Sequence, residues 1–337
     1  MQSSLLYPLI VFCSFLISLL VVSVIKKVYY YVKYKKRFYI LPRVSIKGIA
    51  NIAMVIAISI AIIILLTIVT ADIFNIIFRA WPGTRVTIEG FLIKIGGLLF
   101  GPYLGLFIGA MTDLLTVALT AGVFHYGYLV VAMAYGLISG IISEIFLGAK
   151  NKIGWKAILG SIMLVVCMMV ISFFFMMQTD NLAKNFTFSI FSFYLVIDSK
   201  ILLSTILGFI VLCVGVVWLS FGLYHKKEKA LAKQTKLADI ELRKVKTYEF
   251  YSSVIIVLVV STVCNSIINL LILPAFDAQL STIPYNEWIV LRAATLIPEV
   301  VLNCVVIVPI YNIVKPVINY NYKDDLLEDI KYPLYVD

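Results

Sequence analysis

Long apolar runs alternate with shorter polar intervals along this chain. The runs are Leu5–Ile25, Gly48–Val69, Ile88–Phe100, Tyr103–Ala121, Tyr128–Leu147, Trp155–Met177, Phe188–Leu223, Tyr251–Leu273 and Trp288–Val314. Most of them approach the ~20 residues that a helix needs to cross a bilayer. The run Ile88–Phe100 is the exception, reaching only about 20 Å as a helix. It is predicted to begin in the interval before it or to stop inside the protein. The pattern predicts an all-α polytopic membrane protein. The first run lacks a basic leader and a small-residue cleavage site, and basic residues follow it. It reads as a retained membrane helix rather than a cleaved signal.

Composition and charge sharpen this picture. Hydrophobic residues make up 62% of the chain and charged residues 14%, more apolar surface than a soluble domain hides. The net charge of +10 is unevenly placed. Residues 26–47 (KKVYYYVKYKKRFYILPRVSIK) carry no acid, residues 225–246 form a second basic block, and Lys150, Lys152 and Lys156 a third. Placing these blocks in the cytoplasm lets the spans alternate consistently, with the N-terminus outside and the C-terminus inside. Intervals 71–87, 121–127, 179–187 and 274–287 then face outward. The basic excess is thus an orientation signal with some anionic-lipid contact, and no nucleic-acid partner is expected. Cys13, Cys167, Cys213, Cys264 and Cys304 stand singly in apolar runs, without metal-ligand or redox spacing, and read as small core residues.

Small residues recur every fourth position in three runs: Ala53, Ala57 and Ala61; Gly101, Gly105 and Gly109, leading to Asp113; and Ala132, Gly136 and Gly140, leading to Glu144. Such stripes let membrane helices approach closely. Asp113 should therefore face a neighbouring helix or a cavity, with Lys94 across the Gly101–Pro102 fold-back as its expected partner. Glu144 reads as an interfacial charge near Lys150. Ser261, Asn265 and Asn269 share one helical face, as do Arg292, Thr295, Glu299 and Asn303. With Lys94 and Asp113 they fall mostly in the outer half of the membrane. Ionisable groups sunk there mark solute or ion pathways, so an outward-opening pocket is expected.

Several chemistries are missing. The chain has no G-x-x-x-x-G-K-[ST], H-E-x-x-H, G-x-S-x-G or dinucleotide fingerprint, and only two histidines, His125 and His225. An embedded enzyme using Asp113 and Glu299 as an acid–base pair stays open, but no catalytic activity, metal or cofactor is expected. A binder or transporter fits better.

Segments 85–115 (RVTIEGFLIKIGGLLFGPYLGLFIGAMTDLL) and 122–142 (GVFHYGYLVVAMAYGLISGII) resemble the substrate-binding S components of energy-coupling factor (ECF) vitamin transporters, most closely the folate type. Arg85, the turn Leu99–Pro102 and the pair Gly109 and Asp113 match that group's motifs. In segment 264–303, Asn265, Arg292 and Pro298 match, whereas Ser266 and Ile268 stand where Thr and Trp are usual. The resemblance implies a six-helix core over 48–69, 88–100, 103–121, 128–147, 251–273 and 288–314. It also implies that Ala53, Ala57 and Ala61 contact the membrane T component, and that two ATPase subunits drive release by toppling the loaded subunit. The expected division is 1–47 (N-terminal helix and basic linker), 48–149 (four core helices), 150–250 (an inserted helix pair and charged segment), 251–318 (two core helices) and 319–337 (cytoplasmic tail).

The expected ligand is a water-soluble vitamin, with folate first and riboflavin, pantothenate, a thiamin precursor or a purine-like compound open. Arg85, Lys94 and Arg292 would meet ligand carboxylates. Asp113 or Glu299 would accept hydrogen bonds from an amino-heterocycle, with His125, Asn265 and Asn269 completing the site. The alternative is a stand-alone ion-coupled secondary transporter relaying charge through Lys94, Asp113 and Glu299.

Overall fold

A computed structural model describes residues 10–21, 24, 28, 32, 46–69, 84–120, 124–148, 153–177, 185–190, 193–232, 237–281 and 283–331. The short helix α1 (Ile10–Val21) precedes α2 (Ile46–Val69), α3 (Thr84–Phe100), α4 (Pro102–Thr120), α5 (Tyr126–Gly148) and α6 (Ile153–Met177). A hairpin of β1 (Asn185–Ile190) and β2 (Phe193–Asp198) leads into α7 (Ser199–Ala232) and α8 (Leu237–Cys264). A π-helical segment (Asn265–Ile272), α9 (Leu273–Leu280) and α10 (Tyr285–Lys331) follow. Among the described residues, seven helical stretches are long and apolar enough to cross a membrane. The molecule is a largely helical polytopic membrane protein.

Helix α3 has 17 residues, about 25 Å, and is not among the seven. It starts at Thr84, inside the polar interval before the apolar run, as its shortness required. Its turn into α4 follows from two residues. Gly101 has φ of +85° and donates its N–H to the Gly97 carbonyl at 2.9 Å, a left-handed helix cap that disfavours a side chain. Pro102 then opens α4, where a missing N–H costs nothing.

The small-residue stripes of α4 and α5 pack on each other. Gly105 and Gly136 meet backbone to backbone, as do Gly109 and Ala132, and Gly140 lies on Gly101 and Pro102. Gly97 of α3 joins them: a Cβ on Gly105 would sit 2.6 Å from its Cα. Close backbone approach of this kind replaces the hydrophobic drive that lipid removes. Helix α2 seats Ile52, Ile56 and Ile60 on Ile108, with Leu104, Met111 and Leu115 around them. Its opposite face, with Ala53, Ala57 and Ala61, is exposed.

Two expectations fail. The run Phe188–Leu223 is not one helix, because its first part forms the hairpin, antiparallel with Asn185 opposite Asp198 and Ile190 opposite Phe193. The strands NFTFSI and FYLVID are rich in aromatic and β-branched residues that favour strands, which average hydropathy does not separate from helix. The all-α expectation is corrected to that extent. The run Tyr251–Leu273 also does not end before an outer loop, since helix continues to Leu280. Pro274 lies in the first turn of α9. Its ring cannot donate to a carbonyl four residues back and would clash with it. The helix widens instead, and Leu273 N–H bonds the Ile268 carbonyl five residues back, the local register shift of a π-bulge.

Helix α8 with its π segment and α9 is the most enclosed stretch, Tyr251–Leu270 being buried at every position but Val254 and Ile267. Helices α6 and α7 cover one side of it, and α5 and α10 lie on others. Gly160 admits Val259 and Ile255. Lys156 Nζ donates to Ser252 Oγ at 2.7 Å and lies 5.0 Å from the Tyr248 ring centre. Helices α6 and α7 thus cover the helix that leads into the Asn265 and Asn269 segment.

Candidate functional site

Polar side chains from α3, α5, the π segment, α9 and α10 converge toward the end of the bundle where α3, α5 and α10 begin. Arg292 stands at its centre. Its Nε and Nη2 donate to Asp277 Oδ2 at 3.1 and 2.7 Å. Its Nη1 donates to Thr87 Oγ1 and Asn269 Oδ1, both at 3.0 Å. The Trp288 ring lies 5.8 Å from the guanidinium. The second oxygen of Asp277 accepts the Tyr128 hydroxyl at 2.7 Å. Arg292 is 5% exposed and Asp277 fully buried, so this is a desolvated pair with its hydrogen bonds in place. The position of Asp277 follows from the π segment and α9, which carry the chain back over the bundle.

Asn269 extends the cluster, its Nδ2 donating to Glu299 Oε2. Four residues earlier, Asn265 Oδ1 accepts Lys94 Nζ at 2.6 Å. Lys94 is fully buried, with its ammonium 4.7 Å from the Tyr135 ring centre, a cation–π arrangement. The Tyr135 hydroxyl and Asn265 Nδ2 beside it are buried without hydrogen-bond partners. A buried unmet donor costs about 1–3 kcal/mol, and native folds keep such groups where a water, ion or ligand completes them.

The expected pairing of Lys94 with Asp113 is replaced by the bond to Asn265, the first residue of the π segment. Asp113 is buried on α4, one turn beyond the Gly109 contact with α5, so it faces protein rather than lipid. Arg85 lies on α3, but its side chain is outside the described residues. His125 sits at the start of α5, 3% exposed, its ring centre 5.3 Å from Tyr128 and 5.8 Å from Phe276. Its Nδ1 accepts Gly127 N–H at 3.2 Å. Burial pushes its pKa below the ordinary value of 6.5, against an opposing pull from a Gln279 hydrogen bond and the Asp277 charge. Among the described residues no group of three or more His, Cys, Asp or Glu is placed to hold a metal.

Hydrogen bonds thus link Arg292, Asn269 and Glu299, and another joins Lys94 to Asn265 one helical turn away. Sequence reasoning missed Asp277, Tyr128, Tyr135 and Thr87. Asp277 was hidden in a presumed outer loop. Tyr128 and Tyr135 are spaced by seven on an apolar helix, a signal for one face that carried no charge to draw attention.

No family model matches the chain, and no solved structure matches it. A curated protein of Mycoplasma pneumoniae (strain ATCC 29342 / M129), described as "Uncharacterized protein MG098 homolog", is 28% identical over 305 residues. The match takes in 84% of this chain and 64% of that protein. The chain thus spans just under two thirds of the relative's length.

Proposed function

We propose that this chain is the membrane-embedded solute-binding subunit of an ECF-type vitamin importer. One observation carries the reading. Charged, amide and hydroxyl side chains from α3, α5, the π segment, α9 and α10 meet at one end of an apolar bundle, with buried donors left unmet beside Lys94. Sinking an ammonium whose one hydrogen bond goes to a neutral amide is costly, and such groups mark solute pathways. The exposed Ala53, Ala57 and Ala61 strip supports the second half of the reading. It leaves a smooth helical face on α2 with no use inside the subunit, suited to the helices of a T component. Two ATPase subunits then supply energy through that partner. The site opens to the exterior in this reading, with the C-terminal end of α10 in the cytoplasm.

The test is direct binding to purified full-length chain in detergent, read by tryptophan fluorescence. Trp288 touches the cluster and reports occupancy. Folate is the first compound, followed by riboflavin, pantothenate and thiamin precursors. Micromolar or tighter binding of one of them is expected, and no binding across the vitamins removes the reading. Uptake by vesicles holding this chain alone, abolished by an uncoupler, would instead establish an ion-coupled transporter.

A further inference from the structure

The site holds two opposite charges near each other without letting them meet. Their hydrogen bonds go elsewhere: Lys94 to Asn265 and Glu299 to Asn269. These asparagines lie four residues apart on the π segment, about 6 Å along a helix. They act as a spacer that keeps the pair open.

The two ends differ in what they lack. Around Lys94 the unmet groups are donors: the remaining ammonium protons, the Tyr135 hydroxyl and Asn265 Nδ2. Both side chains are fully buried. This end suits a carboxylate. Glu299 is only half-buried and neighbours the exposed Thr295 on α10. It presents an acceptor at the less enclosed end of the pair and suits an ammonium or a protonated ring nitrogen. Arg292 is excluded as a ligand cation, since Asp277, Thr87 and Asn269 already occupy Nε, Nη1 and Nη2.

We infer that the ligand, or the part of it seated here, is a compact zwitterion. Its anionic end lies against Lys94, Asn265 and Tyr135, and its cationic end lies at Glu299. The inference rests on the solute-binding reading and deepens it, because a ligand with two carboxylates and no cationic group would leave Glu299 facing like charge.

A series of ω-amino acids serves as a ruler. Full-length chain in detergent is titrated with glycine, β-alanine, γ-aminobutyrate and 5-aminovalerate, with butyrate, butylamine and glutarate as controls. Thermal stability and Trp fluorescence are the readouts. Stabilisation should peak at one of the longer amino acids, be absent for all three controls, and weaken at least about tenfold in Lys94→Gln and in Glu299→Gln. Ligand-free Lys94→Met should melt above the parent, because a cation kept for a ligand opposes folding without one. The inference is overturned by equal stabilisation from glutarate, by no response to any amino acid, or by a lower melting point for Lys94→Met. A vitamin that binds parent and both Gln variants equally removes this inference and leaves the importer reading intact. Zwitterion binding that needs both charges, with uptake independent of any ATPase, does the reverse.

Discussion

Replacing Asp277 by Ala tests whether the Arg292 cluster holds the five elements together. The change removes the acceptor of three hydrogen bonds, two from Arg292 and one from Tyr128. It leaves a guanidinium that is 5% exposed without its counter-charge. Breaking a buried pair from one side costs about 3–5 kcal/mol. The stranded Tyr128 hydroxyl falls within the same loss, about 1–3 kcal/mol for one unmet donor. Removing both partners should cost less, since Asp277→Leu with Arg292→Met leaves no charge behind. Asp277→Ala and Arg292→Met alone, together with that double variant, complete the comparison. Unfolding can be followed with a thiol-reactive dye, because Cys167, Cys213 and Cys264 are free and buried. The expected order of melting points is parent, double variant, then either single variant. An Asp277→Ala melting point equal to the parent's, or a double variant below both singles, would refute the argument.

Other substitutions separate contact from conformation. Gly136→Val should abolish a stable fold, because its Cβ would enter the Gly105 backbone, whereas Gly208→Ala should be silent with nothing within 4 Å; the yield of monodisperse protein distinguishes them. Gly101→Ala should lower stability by about 1–2 kcal/mol, the cost of a left-handed non-glycine residue, measured as a fall in denaturation midpoint. Ala57→Leu should leave the melting point of the isolated chain unchanged, because Ala57 is exposed, while abolishing co-purification with a T component. His125 favours its neutral form when folded, so its contribution is complete above pH 6.5 and declines as pH falls toward the depressed value. Melting points recorded between pH 8 and pH 5 should fall in the parent, and His125→Phe should flatten the trend.

The candidate site was legible in the sequence where a charge stood out against apolar neighbours. Lys94, Asp113, Arg292 and Glu299 are expensive in lipid wherever they point, so their presence alone announces a protected interior. The partners were not legible, because partnership depends on which helix comes to lie opposite. Lys94 finds Asn265, not Asp113, since the π segment supplies the acceptor beside it. Asp277 was read as loop because the apolar run stops at Leu273, and the π segment that carries the helix past Pro274 is visible only in three dimensions.

The amino-acid order by itself determined the membrane class, the apolar spans, the Gly101 turn and the glycine faces of α4 and α5. All of these follow from local rules: a run long enough to cross, a residue able to take positive φ, a stripe without side chains. Tertiary structure alone decided that the stripes of α4 and α5 meet each other while the α2 stripe stays open. It also placed α6 and α7 against α8 and split the apolar stretch after residue 185 into hairpin and helix. Hydropathy records how much a segment avoids water, and in a bilayer that quantity is nearly the same against lipid as against protein. Which face meets which neighbour is set by shape and hydrogen bonding, and those exist only once the helices are assembled.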